Sequence, residues 1–301
     1  MKTFKYTLDK SSKKYVCPKC QKKTFVKYLE TDTGHYLSDY FGRCDRETNC
    51  NYHNKPLGNN INTFLSSDKR QLIPSYHNMD LLTKSMRAYD RNNFISFLKT
   101  IFSADEVYSA IRKYKIGTSK NWNGSTIFWQ IDNHNRIHGG KILQYNSTTG
   151  KRMKDKKNKA LINWVHSILK RRKQLENFNL SQCLFGLHLT NQNTKKIAIV
   201  ESEKTAVIMS MFKPQYCWLA TGSKQAFKLE MLLPIKGFEI IAFPDKSEYT
   251  DWNLKAIKLN KIGFRIHVSK ILEYTNYPIG FDLADLITFH REKDKSFNNS
   301  T

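Results

Sequence analysis

A chain of 301 residues, 40% of them hydrophobic, can bury a core of its own, which excludes wholesale disorder and suggests more than one domain. No apolar run is long enough to span a bilayer, and the opening Met1-Lys2-Thr3-Phe4-Lys5-Tyr6 lacks the apolar stretch of a signal peptide, so a cytosolic protein is expected. Fifty Lys and Arg against 26 Asp and Glu leave a formal charge of +24, which self-repels in the compact state and which nucleic acid would relieve. A lysine-rich genome is the alternative source of that charge. A membrane-surface role is disfavoured, because no segment joins a basic face to a bulky apolar one.

Four of the six cysteines lie near the start: Cys17 and Cys20 in a C-x-x-C knuckle, then Cys44 and Cys50. Between the pairs, residues 24–30 alternate like a strand, and Thr31-Asp32-Thr33-Gly34 reads as a hairpin turn. Two cysteine pairs around a hairpin predict a zinc ribbon, with the metal held in a closed tetrahedral site. The second pair is spaced C-x5-C, so a set in which His53 replaces one cysteine stays open beside the all-cysteine set. Phe25, Tyr28, Tyr36, Tyr40 and Phe41, interleaved with Lys27 and Arg43, are candidates to stack on unpaired bases, although some must form the ribbon's own core.

Residues 55–75 read as a linker. Helices are expected over 90–102 and from Ser103, whose spacing to Glu106 is that of a capping box, to about 114. Residues 125–132 and 137–145 form a β-hairpin pattern, on which His134 and His138 are expected to face solvent. The densest basic stretch follows, with Lys151, Arg152, Lys154, Lys156 and Lys157, and then Arg171 and Arg172 within 170–173; these are the candidate nucleic-acid contacts. Cys183 and Cys217 adjoin apolar residues and read as core thiols.

After Lys195 the pattern becomes strand, helix, strand, helix, strand, helix, strand, which predicts a mostly parallel sheet flanked by helices. The first of these strands ends at Glu201 and the third at Pro244-Asp245. Ligands bind beyond the carboxyl ends of parallel strands, so Glu201 and Asp245 are candidates to share a divalent metal. Ordinary acidic caps on the following helices are the competing reading.

Val200-Glu201-Ser202-Glu203-Lys204-Thr205-Ala206, Ala220-Thr221-Gly222-Ser223 and Phe243-Pro244-Asp245-Lys246-Ser247 together resemble a Toprim domain, the metal-binding fold of bacterial-type primases, topoisomerases and some nucleases. Cys183-Leu184-Phe185-Gly186-Leu187 is similar to the link that precedes Toprim in primases, and the hairpin with Gly139-Gly140-Lys141 is similar to their basic subdomain. Gly42-Arg43-Cys44-Asp45-Arg46-Glu47 and Cys50-Asn51-Tyr52-His53 bring the chain nearer to small Toprim primase-like proteins of Bacteroidetes mobile elements and plasmids. The resemblance implies an α/β fold in four parts: a zinc ribbon over 1–57, a linker and helical segment over 58–115, a basic α+β subdomain over 116–194 and a Toprim domain over 195–301.

It further implies a cytoplasmic bacterial primase that binds single-stranded DNA and nucleoside triphosphates. Its cofactors would be structural Zn²⁺ and catalytic Mg²⁺ or Mn²⁺, and a replicative helicase or mobile-element replication protein is a possible partner. Glu201 and Asp245 would hold the catalytic metal, and Lys204 and Lys141 would contact phosphate. The chain departs from the family at three positions: Ser202 stands for Gly and Thr205 for Asp in E-G-x-x-D, and Ser247 for the second Asp of D-x-D. Glu248 or Asp251 is then a candidate replacement carboxylate, and Asp282 and Asp285 resemble the acidic element late in primase Toprim domains. Two other readings share these residues: a non-catalytic single-strand-binding accessory protein and a Toprim nuclease.

Overall fold

The computed structural model describes residues 5–46, 49–56, 73–274 and 276–288, and the chain divides into two compact units, Met1–Leu72 and Ile73–Thr301. Most of the linker expected over 55–75 lies outside the described residues.

In the first unit, strands β1 (Tyr6–Leu8), β2 (Phe25–Glu30), β3 (Gly42–Cys44) and β4 (His53–Asn54) form one antiparallel sheet in that order. Phe25 is fully buried and packs with Cys17, Cys44 and Cys50. Gly42 lies against Val26 and the Phe25 ring so closely that no side chain fits there. A core this small cannot hold a domain by apolar burial alone, so the unit needs a further restraint.

The second unit begins with helices α1 (Met79–Ser85), α2 (Asn93–Ile101) and α3 (Ala104–Tyr114). The capping box expected at Ser103 and Glu106 is formed. An antiparallel sheet follows, ordered β5 (Gly117–Ser119), β6 (Ser125–Ile131), β7 (Ile137–Leu143), β8 (Ile162–Trp164), and then α4 (Val165–Arg171). Every residue of β6 and β7 is buried, because α2 and α3 pack on one face of the hairpin and α1 and α4 on the other. Phe128 and Leu143 face α2 and α3 in one core, while Ile127, Trp129 and Ile142 face Leu82 and Val165 in another. The pairing register shifts near Gln130 and Ile131, where β7 accommodates an extra residue. That bulge lets Ile137 and Ile142, of opposite parity, share one face.

The remaining strands are β9 (Lys196–Val200), β10 (Cys217–Ala220), β11 (Glu239–Ala242) and β12 (Arg265–Val268), with α5 (Glu203–Phe212), α6 (Leu229–Leu232) and α7 (Tyr249–Asn260) between them. They pair in parallel in the order β10-β9-β11-β12. Alternate residues point to opposite faces: Ala198, Val200 and Ala220 join the core shared with α2, α3 and α5, and Ile197, Ile199 and Leu219 join Trp252, Ala256 and Leu259 of α7. Because one core runs continuously from the hairpin to the parallel sheet, the two sheets are fixed to one another, and the ends of β9 and β11 open toward β7 and the turn after it.

Candidate active site

The ends of β9 and β11, neighbours in the sheet, deliver Glu201 and Asp245 to one cleft of about 210 Å³. Its other lining residues include Lys141, Lys151, Arg152, Glu203, Lys204, Gly222, Asp282 and Asp285. The turn that carries Lys151 and Arg152 is seated by Gly150, at φ +62° and pressed against the Phe97 ring, where a side chain would clash.

Glu201 and Asp245 have no ion-pair partner among the described residues, and the carboxylates of the cleft raise one another. Burial, then the charges of Asp282, Glu201 and Asp285, push the Asp245 carboxyl up to about 8. Burial and the neighbouring Glu248 raise Glu201 as well. Asp282 is buried and caps the helical segment 283–288, its Oδ1 accepting the Asp285 N–H at 2.9 Å. Its other oxygen accepts from the Thr205 hydroxyl at 2.8 Å. A hydroxyl at position 205 therefore supplies a donor where an aspartate would add a further negative charge.

Two lysines of the cleft are already paired. The Lys204 ammonium lies 3.2 Å from Asp285 and 3.8 Å from Asp282. Burial opposes its charge, but those two carboxylates outweigh burial and raise its pKa. Lys141, buried on β7, donates to both oxygens of Glu203 at 3.0 and 3.2 Å and to the Gly222 carbonyl at 2.7 Å. Gly222 sits at φ +81° with Glu203 against it, so this turn requires glycine. Lys141 and Glu203 thus tie the hairpin to α5 across the cleft.

In the ribbon, Cys17, Cys20, Cys44 and Cys50 bring their sulfurs within 4.8 Å of one another, the one such group of three or more His, Cys, Asp or Glu among the described residues. The Cys17–Cys50 and Cys20–Cys44 sulfurs are 3.7 and 3.9 Å apart. Four thiolates about 2.3 Å from a central zinc define a tetrahedron with edges of roughly 3.8 Å, so the set fits that ion. A hydrogen bond from the Lys22 backbone lowers the Cys20 thiol to about 6, whereas burial raises Cys50 to about 12. His53 is not in the group: its ring stacks on Tyr28, and its Nε2 is 3.0 Å from the Tyr28 hydroxyl. Of the candidate stacking aromatics, Phe25 belongs to the core and Tyr40 is the most exposed.

A family described as a domain of unknown function (DUF6371) matches residues 92–246. The chain belongs to that family. The DUF6371 match contains Lys141, Glu201, Glu203 and Asp245, and ends before Asp282 and Asp285. A zinc beta-ribbon finger family matches residues 4–63, around the cysteine cluster. No curated protein matches the sequence. Among solved structures, the RNA polymerase domain of Mycobacterium tuberculosis primase DnaG is 13% identical with a TM-score of 0.47, over 72% of this chain and 79% of that one. The primase fragment of the bacteriophage T7 primase-helicase protein is 15% identical with a TM-score of 0.45, over 94% and 97%. The zinc-binding and RNA polymerase domains of Aquifex aeolicus primase give 12% and 0.39, over 98% and 80%.

Not every residue singled out in the DUF6371 chain reaches the cleft. Asp251 is in the first turn of α7 and pairs with Lys255 at 2.7 Å, away from the cleft lining. Glu248 pairs with Lys224 at 2.9 Å. Ser247, at φ +79°, is exposed, and its N–H donates to Glu273 at 2.8 Å. Lys154, Lys156 and Lys157 are exposed on the turn beyond Arg152, and Arg171 and Arg172 end α4, with Arg172 on a different, apolar groove.

The expectation that His138 faces solvent is overturned. It is buried, with Nε2 3.0 Å from Asp132 and Nδ1 against the Ser181 carbonyl. His138 and Arg136 both bond Asp132, so the cluster closes the hairpin turn onto residues 181–183. Glu203 was missed, because a charged residue in a first helical turn reads as an exposed cap. The signal that could have found it is Lys141, the one Lys, Arg, Asp or Glu inside β7.

Among the described residues, no helix is long and apolar enough to cross a membrane.

Proposed function

We propose that this chain is a primase-like nucleotidyltransferase that binds single-stranded DNA and extends a primer from nucleoside triphosphates. The observation that carries this reading is the convergence of Glu201 and Asp245, from adjacent parallel strand ends, with Asp282 and Asp285 in one cleft beside Lys151 and Arg152. With the four-cysteine ribbon, the parallel sheet and the strand-end motifs, it supports a Toprim-type site.

The donor set fits a divalent cation. Its groups are oxygen ligands, and the Asp245 carboxyl is raised by burial and then by the charges of Asp282, Glu201 and Asp285, which Lys204 only partly offsets. Glu201 and Asp245 are the residues to hold it, and Asp282 and Asp285 lie close enough to raise the Asp245 carboxyl. A bound Mg²⁺ or Mn²⁺ would supply charge neutralisation for the triphosphate and a more acidic primer hydroxyl. Lys151 and Arg152 face the same cleft and are suited to hold phosphate oxygens in line, the positioning on which phosphoryl transfer mainly depends. Lys204 and Lys141 act at one remove: their ion pairs fix Asp285, Asp282 and Glu203 in place.

The test is primer synthesis on single-stranded DNA with labelled nucleotides and Mg²⁺ or Mn²⁺. Products from the native chain that vanish in Glu201→Gln support the proposal. A second reading, a non-catalytic DNA-binding accessory, draws on Ser247, which supplies no carboxylate to the cleft. It prevails if DNA binds normally and no primer forms with either metal. Strand cleavage lost in Glu201→Gln would point to a nuclease.

A further inference from the structure

The face of the antiparallel sheet turned away from α2 and α3 is covered by α1 and α4, which do not meet over it. Between α1 and α4 it leaves a groove of about 280 Å³ whose floor is Ile127, Trp129, Ile142 and Val165. Leu81 of α1 and Ile168 of α4 form its walls. Around this apolar strip stand Lys84, Arg87, Lys120 and Arg172, all exposed, and no Asp or Glu lines the groove. None of the four has an acidic partner among the described residues.

We propose that this groove binds an acidic peptide segment of a partner protein, with bulky apolar side chains between the walls and carboxylates on the cationic rim. Three observations select that occupant. The polar atoms inside the groove are already satisfied: the Trp129 indole donates to Ser85 at 2.9 Å, Ser85 donates to the Leu82 carbonyl at 2.7 Å, and Asn121 accepts from Asn163 at 3.1 Å. A specific small-molecule site needs a few convergent unpaired polar groups and a volume of roughly 300–1,000 Å³. The accessible apolar surface is that of the aliphatic walls, where Leu81, Ile168 and Leu169 are half-buried, and Trp129 beneath them is only 1% exposed, so the groove has no aromatic platform on which bases could stack. What remains is apolar surface between two helices with an unneutralised positive edge, which complements an acidic amphipathic segment in both shape and charge.

The full chain, used as bait for a random peptide library at physiological salt, should enrich peptides in which Asp or Glu flank apolar side chains. Those peptides, synthesised with a fluorophore and titrated by anisotropy, should lose about tenfold or more in affinity for Lys84→Glu/Arg87→Glu. Both side chains are exposed, so the melting curve of that variant should match the native one. Ile168→Asn should weaken the same peptides through the wall. If Ile168→Asn does not fold, the charge reversal alone decides. The proposal fails if nothing is enriched, if the enriched peptides lack acidic residues, or if the charge reversal leaves their affinity unchanged. It also fails if the charge reversal weakens binding of an oligothymidylate as much as that of the peptides, since the groove is then a path for nucleic acid.

Discussion

The ribbon cysteines and the cleft carboxylates each gather donor atoms in one place, yet they are built to opposite specifications. The four sulfurs lie within 4.8 Å of one another, and three of the four cysteines are buried. The carboxylates of Glu201, Asp245, Asp282 and Asp285 line an open cleft and form no such compact group among the described residues. A metal that holds a fold together needs every ligand from the protein, because it replaces a core the chain is too short to build. A metal that serves phosphoryl transfer needs free positions for substrate oxygens. The openness of the cleft is therefore what a catalytic site asks for, and the closure of the cysteine cluster is what a structural one asks for.

That contrast is broken most severely at the ribbon. Cys17→Ser removes one of four ligands from a unit whose apolar core is Phe25 and the cysteines themselves. Loss of bound zinc and unfolding of residues 1–56 are expected, while unit Ile73–Thr301 melts as before. Metal analysis with proteolytic mapping checks this; full zinc occupancy in the variant would remove the cluster's role. A chelator should reproduce the effect on the native chain, and His53→Ala should not, because His53 is engaged with Tyr28.

At the cleft the corresponding change should cost chemistry and leave the fold intact. Glu201→Gln keeps size and removes charge, and loss of a metal ligand in a transfer site should lower primer synthesis by about 10³-fold or more. Its melting temperature should stay or rise, since burial already disfavours the carboxylate. A fall in stability without loss of activity would assign Glu201 to the fold.

A third substitution separates cleft walls from cleft ligands. Lys141 and Glu203 are both buried, and Lys141→Met leaves Glu203 without its cation. Breaking such a pair should cost about 3–5 kcal/mol, whereas Lys141→Met/Glu203→Leu should recover much of that. Denaturant unfolding of both variants measures the difference. Equal stability of native and single-variant proteins would show that the pair does not fix the hairpin to α5.

Legibility in the sequence followed the range of the interactions. The cysteine pairs, the capping box at Ser103, the hairpin and the alternation after Lys195 are local patterns, and each appears where its spacing predicts. Glu201 and Asp245 were readable because strand ends are local too, and the sheet order then makes them neighbours. Lys141 with Glu203, and Lys204 with Asp285, were not, since each joins residues far apart in the chain and a charged side chain is usually solvated. His138 was misread because both faces of its strand are covered and its ring meets Ser181, 43 residues on in the chain, which no alternation pattern reveals. Helix α1 is only seven residues long and carries little periodic signal.

The smallest expected effect concerns the basic turn beside the cleft. Lys154, Lys156 and Lys157 are exposed and lie outside the cleft lining, so they should act on DNA through charge alone. Each phosphate they neutralise releases counterions, and for single strands the logarithm of affinity falls with the logarithm of salt by roughly 0.7 per contact. Replacing all three by alanine should therefore flatten the slope by about 2, weaken binding most at low salt and leave the rate at saturating DNA nearly unchanged. Anisotropy titrations of an oligothymidylate across a salt series measure this. An unchanged slope would mean that this turn does not touch the backbone. A lost rate at saturation would mean that the turn belongs to the catalytic cleft, which would erase the division between residues that hold DNA and residues that hold metal.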